Sequence, residues 1–236
     1  MCISYTNYMN TLKQDVEKKY QFAVIATDVV IFTAQNGKLK VLLIEMRKPP
    51  YTGYWACPGG LVKPNESVDR AAQKHLFDKT GVKDVYLEQL YTFGEIDRDP
   101  FGRVVSVAYY ALIPSGGIKL KTSHEYTDVD WFQVKQLPPM AYDHTEIIKV
   151  AVKRLKDKIT YSNIVYSLLP KSFTLSELQG IYELILDKRL DKRNFRKKIL
   201  TLNLITKTGR KRTGEANRPA QLYKFVRRTP QEVEVL

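Results

Sequence analysis

GLVKPNESVDRAAQKHLFDKTGV, residues 60–82, is the stretch from which the fold can be read. Within it Val68, Ala71, Ala72 and Leu76 recur at helical spacing, and Gly81 stands where a helix C-cap glycine belongs. That pattern predicts a loop, a helix and a second loop. Ahead of it, Gly59-Gly60 predicts a tight turn into the segment. Further upstream, FAVIATDVVIF (residues 22–32) is rich in β-branched residues and reads as a buried strand. Asn36-Gly37 separates it from LKVLLIE (39–45), and because both turn positions tolerate positive φ, the pair predicts a hairpin. RKPPYTGYWACP (47–58) reads as a loop, broken by Pro49, Pro50 and Gly53. Downstream, strands are expected at 85–93, 104–113 and 129–132, then a helix at 143–158 with Asp143 as its N-cap. Strands of a mixed sheet covered by helices make an α/β unit.

Composition sets the outer bounds. The chain has 236 residues, 44% hydrophobic and 27% charged, which suits one or two soluble domains with a real core. No apolar run reaches the ~18 residues of a membrane span, and the start lacks a secretory apolar region, so a cytoplasmic protein with no membrane partner is expected. Cys2 and Cys57 are the two cysteines, too few for a disulfide framework or a thiolate metal site. Residues 1–20 are polar and read as an N-terminal arm.

Charge divides the remainder. Residues 1–158 carry 22 Lys+Arg against 18 Asp+Glu, whereas residues 159–236 carry 16 against 7. The last third thus holds most of the net +13, the footprint of a polyanion partner. The division gives an arm (1–20), an α/β domain (21–158) and a basic domain (159–236).

In the basic domain, Thr174-Leu-Ser-Glu177 is a capping box opening a helix with Leu178, Ile181, Tyr182 and Ile185 on one face. After a basic turn, Asp191 can cap a second helix, DKRNFRKKILTLN, with Phe195, Ile199 and Leu202 inward. Two short strands, 204–206 and 220–226, then flank TKTGRKRTGEANRP. This is the layout of a winged helix-turn-helix, whose second helix enters the major groove of double-stranded DNA. The residues placed to touch DNA are Lys192, Arg193, Asn194, Arg196 and Lys197 on that helix, with Arg210, Lys211 and Arg212 at the expected wing tip. Arg193 or Arg196 suits guanine and Asn194 suits adenine.

The stretch at 60–82 also resembles the Nudix box, G-x5-E-x7-R-E-U-x-E-E-x-G-U, in which U is a bulky apolar residue. Gly60, Glu66, Gly81 and Val82 match it; Lys74-His75 stands for the arginine-glutamate pair and Asp78-Lys79 for the glutamate pair. In Nudix hydrolases the box glutamates hold Mg²⁺ against the diphosphate. Exchanging one for a lysine turns an attraction into a repulsion of about 4 kcal/mol at ~4 Å and an effective dielectric near 20. The resemblance therefore implies a Nudix-like α/β/α sandwich around a retained pocket, with no metal, no cofactor and no catalytic residues. Either the helix is now only structural, or His75 and Lys79, one turn apart, present a cationic face to a phosphate. Arg98 and Arg103 in the turn IDRDPFGR are candidate phosphate clamps, and Asp97 or Asp99 would orient them; Asp-Arg pairs lacing the turn are the alternative. Tyr54 or Trp55 is a candidate base-stacking residue, and Arg47, Glu66, Lys74 and Asp78 complete the candidate effector set.

Together with FGEIDRDPFGRVVSVAYYAL (93–112), LPKSFTLSELQGIYE and DKRNFRKKIL, the box resembles the NrtR-type family of Nudix-related transcriptional regulators. The resemblance covers residues 20–226. It implies an effector-binding Nudix-like domain, a winged-helix DNA reader, a homodimer and an operator with two half-sites. NrtR-type members respond to ADP-ribose and relatives to L-arabinose, so the effector expected is ADP-ribose, a related nucleotide or a pentose. The competing reading is a hydrolase of ADP-ribose or a similar nucleoside diphosphate derivative, using Glu66 and Asp78.

Overall fold

The structure, a computed structural model, describes residues 22–81, 83, 85–116, 120, 126–212 and 219–236. The expected N-terminal arm and Val82 of the box lie outside these residues. Among the described residues, the first half is built on a mixed seven-stranded sheet. Strand β1 (Val24–Gln35) turns through Asn36 and Gly37, both at positive φ, into β2 (Lys38–Met46), giving the expected antiparallel hairpin. β1 also runs parallel to β6 (Val104–Leu112), which pairs with β5 (Tyr86–Phe93) at the sheet edge. β7 (Tyr126–Gln133) lies on the other side of β2.

Two features of the segment ahead of the box differ from expectation. Within the predicted loop, β3 (Trp55–Ala56) pairs with β2, and Gly59-Gly60 is the start of a strand, β4 (Gly59–Leu61), paired with β1. Gly59 is required by proximity: a Cβ there would lie 2.4 Å from both Asp28 Oδ1 and the Thr27 carbonyl. The turn signal in the sequence was therefore a close-approach signal.

The box helix, α1 (Val68–Thr80), starts at Ser67, whose hydroxyl accepts the Arg70 N–H, and stops at Gly81, at φ 67° with its N–H donating to Phe77 O. It buries Ala71, Ala72 and Leu76 against one sheet face, with Val29, Ile31, Leu42 and Ile44. On the other face lies α2 (His144–Lys158), inserting Ile147, Ile148, Ala151 and Leu155.

The basic half consists of α3 (Leu175–Leu186), α4 (Lys192–Thr201) and a three-stranded sheet ordered β8-β10-β9: β8 (Phe173–Thr174), β9 (Ile205–Arg212) and β10 (Ala220–Phe225). Both predicted caps form: Thr174 and Glu177 make the reciprocal capping box, and the Asp191 carboxylate accepts the Asn194 N–H at 2.7 Å. Strand β9 runs on to Arg212, past the expected end at 206. Arg210, Lys211 and Arg212 therefore belong to the strand and not to the expected wing tip: Lys211 and Arg212 pair with Gln221 and Ala220 of β10, and the Arg210 carbonyl accepts the Gln221 side-chain amide.

The halves share one core. Leu155, Ile159, Ile164, Val165 and Leu168 run from α2 into Phe173, Leu178, Tyr182 and Phe225 of the basic half. The chain end returns to this junction: Asn163 donates to Thr229 O and accepts the Gln231 N–H, Val233 N–H donates to Tyr161 O, and Val235 is fully buried. Arg228 donates to the carbonyls of Tyr166, Leu169 and Pro170. Among the described residues, no helix is long and apolar enough to cross a membrane.

Candidate effector pocket and nucleic-acid interface

A cavity of about 440 Å³ opens where the ends of β1, β4 and β6 meet the 94–103 turn. Val24, Ala26, Ala56, Leu61, Phe101 and Val104 supply apolar wall, and Asp28, Arg98, Asp99, Arg103, Tyr126, Tyr142 and His144 supply polar groups. That mixture, mostly apolar with a few convergent polar groups, is the usual make-up of a small-molecule site.

Its floor is a buried ionic knot. Asp28 projects from the middle of β1 and accepts Ser106 Oγ at 2.6 Å and Arg98 Nη2 at 3.5 Å, with His144 Nε2 also at 3.5 Å. Arg98 is 7% exposed and forks onto Asp143, its Nε and Nη2 donating at 2.9 and 2.7 Å. His144 Nδ1 accepts the Cys57 N–H at 2.9 Å, which leaves Nε2 to face Asp28. Burial pushes the Asp28 carboxyl up, but His144, Ser106 and Arg98 together outweigh it and hold the group below its ordinary value. Burial, with Asp28 and Asp143 nearby, pushes the Cys57 thiol well up, so it is a packed, protonated side chain.

The expected site residues separate against this geometry. Arg98 and Arg103 both line the cavity, but Arg98 is no free clamp, since two carboxylates already take its guanidinium. Asp143 does stand at the N-cap position of α2, yet its side chain makes no cap hydrogen bond, because it is turned onto Arg98. Arg103 is exposed and donates through Nη1 to the Gly94 and Glu95 carbonyls, bracing the turn. Asp97 points away as an exposed residue, while Asp99 lines the wall and accepts the Phe101 N–H.

On α1 the expected cationic face does not form. Lys79 is 6% exposed with Nζ over the Tyr126 ring at 3.9 Å. His75 lies close beneath Gly60, and burial, followed by the Lys74 charge, holds its pKa below the ordinary imidazole value despite the opposing acids Asp28, Asp78 and Glu66. Lys74 and Asp78 are exposed, Glu66 is half-buried, and none of the three lines the cavity. Lys74 instead flanks a second groove with Arg70 and Lys83. Arg47 is exposed and outside the cavity wall. Trp55 also lies outside it, edge-on to Phe132 at 4.5 Å, because β3 turns the ring toward the core shared with α2.

Lys79 is buried on α1, and among the described residues no three His, Cys, Asp or Glu side chains gather to hold a metal. The residues missed by sequence reasoning are Asp28, Ser106, Tyr126, Tyr142 and the pairing of His144. One signal was available: Asp28 is a lone acid inside the apolar run FAVIATDVVIF.

On the basic half, α4 rests on α3 through Phe195 against Tyr182, rings 5.3 Å apart. That packing leaves Lys192, Arg193, Asn194 and Lys197 exposed along one face. Arg196 is half-buried, Nη2 donating to Ser176 Oγ at 3.1 Å. Arg210 and Lys211 are exposed on β9, whereas Arg212 is tied at 2.7 Å to Glu177 of the capping box.

With the geometry in place, comparison with known proteins places the chain. The NUDIX domain family matches residues 24–152, and the NrtR DNA-binding winged helix domain matches residues 165–225. The chain is 34% identical, over 94% of its length and 90% of the relative's, to an ADPR responsive transcriptional repressor, NtrR, of Acinetobacter baylyi. The chain belongs to the NrtR-type family of Nudix-related transcriptional regulators. It also resembles the crystal structure of Shewanella oneidensis NrtR complexed with a 27mer DNA, with a TM-score of 0.76 and 36% identity, covering 85% of this chain and 93% of that one. The NUDIX domain of the same NrtR, complexed with ADP ribose, matches with a TM-score of 0.52 and 34% identity over 58% of this chain and 92% of that one. The NrtR-type architecture thus extends over both halves, and α4 and β9 occupy its DNA-binding module.

Proposed function

We propose that this chain is an ADP-ribose-responsive transcriptional repressor that acts as a homodimer on an operator with two half-sites. ADP-ribose occupies the cavity between β1, β4, β6 and the 94–103 turn; the α4 face of Lys192, Arg193, Asn194 and Lys197 enters the major groove, and Arg210 and Lys211 reach the flanking backbone. Effector binding changes the placement of the two readers and lowers operator affinity. The observation that carries this reading is the likeness over both halves at once to an NrtR solved on DNA, joined to a cavity lined by residues within the NUDIX match, 24–152.

The same residues argue for binding without cutting. Lys79 is buried under Tyr126 where hydrolysis needs an acid. His75, whose charged form is disfavoured by burial and by the Lys74 charge, lies against Gly60. The test is a gel-shift titration of the full chain on DNA upstream of its gene, with and without ADP-ribose, beside an assay for AMP release with Mg²⁺ or Mn²⁺. The expected result is a specific complex released by ADP-ribose and no turnover. Binding indifferent to sequence and to ADP-ribose overturns the proposal, and turnover abolished by Asp78→Asn would restore the hydrolase reading.

A further inference from the structure

The pocket and the DNA-reading half need a physical link, and the ionic knot lies at the only end of α2 that touches the pocket among the described residues. Three observations define it. First, Arg98 belongs to the turn that supplies Asp99, Phe101, Gly102 and Arg103 to the pocket wall, so displacement of that turn is displacement of Arg98. Second, Asp143 withholds its carboxylate from the α2 N-terminus, where an N-cap hydrogen bond would ordinarily stabilise the helix, and forks it onto Arg98 instead. Third, the far end of α2 belongs to the basic half. Leu155 shares a core with Leu178 and Tyr182, and Val152 and Lys156 line a crevice together with Leu184 and Ile185 of α3 and its C-cap residue Asp187. α3 leads through a short turn into α4. The fifteen residues of α2 span roughly 22 Å as a rigid element.

We infer that Arg98 and Asp143 are positioning residues that convert occupancy of the pocket into a tilt of α2, and through α2 into a new placement of α4. The inference rests on the proposed function and assigns the residues through which regulation at that same site acts. Arg98 touches the effector's surroundings, and its charge is already satisfied by Asp28 and Asp143. Closure of the 94–103 turn on a ligand therefore pulls on Asp143 through two parallel hydrogen bonds, the geometry that best fixes direction as well as distance. Asp28 and Ser106 belong to the sheet and form the fixed side of the joint, while Asp143 and His144 belong to the moving helix. Because packed cores switch between arrangements and do not deform continuously, a small movement at the N-terminus of α2 is delivered to α3 at its other end.

The experiment measures the affinity of the full chain for a labelled duplex from upstream of its gene, without and with saturating ADP-ribose. It compares the wild-type chain with Asp143→Asn, Arg98→Lys and Ser106→Ala. ADP-ribose binding is measured separately by calorimetry. The wild-type chain should lose operator affinity by a factor within the roughly 5- to 150-fold range of ordinary allosteric coupling. Asp143→Asn, which lies outside the cavity wall, should bind ADP-ribose and the bare operator within about threefold of wild type, yet respond to ADP-ribose by less than about threefold. Arg98→Lys should bind the bare operator within about threefold of wild type and show the same blunted response when ADP-ribose is saturating. A chain carrying both Asp143→Asn and Arg98→Lys should respond no less than the worse of the two single variants, as expected for two parts of one link. Ser106→Ala loosens the same knot on its fixed side and should keep the wild-type response. A wild-type response in both positioning variants overturns the inference. So does an equal loss in Ser106→Ala, which would mean general loosening, and so does loss of ADP-ribose binding in Asp143→Asn, which would make that carboxylate a ligand contact. Absence of any ADP-ribose response in the wild-type chain overturns the functional reading and the inference with it, and is distinguished by that control.

Discussion

Arginine and lysine occur on both halves of this chain, but they meet opposite surroundings. Around the pocket two cations are buried and answered from within, Arg98 by Asp28 and Asp143 and Lys79 by the face of Tyr126, while Arg103 is exposed and braces the turn. On α4 and β9 they are exposed: Lys192, Arg193, Lys197, Arg210 and Lys211 share their surface with few acids, since residues 188–228 hold fifteen Lys+Arg against Asp191 and Glu215. A buried and answered cation fixes geometry, and its removal is felt in folding. An exposed, unanswered one stores repulsion that a polyanion relieves, and its removal is felt in binding. The exceptions sharpen the rule: Arg212 and Arg196 lie on the basic half, but the first braces β9 against Glu177 and the second donates to Ser176.

The strongest way to break this contrast is Arg98→Leu. It leaves Asp28 and Asp143 facing one another without their cation, and loss of one member of a buried pair costs about 3–5 kcal/mol. Urea unfolding should show a loss of that order; a loss below about 1 kcal/mol would mean that the knot is solvated and the contrast false.

Acid should act on the same knot. Asp28 titrates below its ordinary value of 3.8 in the folded chain, so the unfolded chain takes up the proton first as pH falls. The stabilisation from Asp28 is complete above that value and is lost as pH falls through it toward the lower folded value. Asp28→Asn should accordingly flatten the acid limb of a stability-versus-pH curve below pH 3.8. An unchanged limb would place the acid sensitivity elsewhere.

The basic half should answer differently. Arg193→Ala should weaken the specific operator complex by about 1–3 kcal/mol and leave the urea midpoint unchanged. Arg210→Ala should weaken all duplexes alike and reduce the slope of log affinity against log salt by about 1. Loss of the folded circular-dichroism signal in either variant would assign these residues to the structure instead. The smallest effect expected is for Thr174→Ala, about 1 kcal/mol of stability from the capping box. It should be accompanied by a modest change in DNA binding, since Glu177 holds both that cap and Arg212.

Much of this was legible in the sequence, for a local reason in each case. The hairpin at Asn36-Gly37, the end of α1 at Gly81, and the caps Thr174, Glu177 and Asp191 are set by residues within four positions of one another. The basic helix face was legible because exposure on a short amphipathic helix follows from its period. What escaped reading depends on partners far along the chain. Arg98 lies 45 residues from Asp143 and 70 from Asp28, so a turn written IDRDPFGR looks like an exposed phosphate clamp until the fold brings those acids to it. Gly59 looked like a turn because the Asp28 strand that crowds it is not adjacent in sequence. Trp55 looked available for stacking because a two-residue strand leaves no periodicity to show which way it faces. The return of the chain end to Asn163 likewise has no signature within the tail itself.

In the proposed function, the answered charges of one half and the exposed charges of the other work as a single switch. Thermodynamic linkage gives its most direct test: titrate ADP-ribose calorimetrically into the full chain, free and then saturated with operator duplex. ADP-ribose should bind the DNA-bound chain more weakly, by the same factor by which it weakens operator binding. Equal ADP-ribose affinity in the two titrations would contradict it.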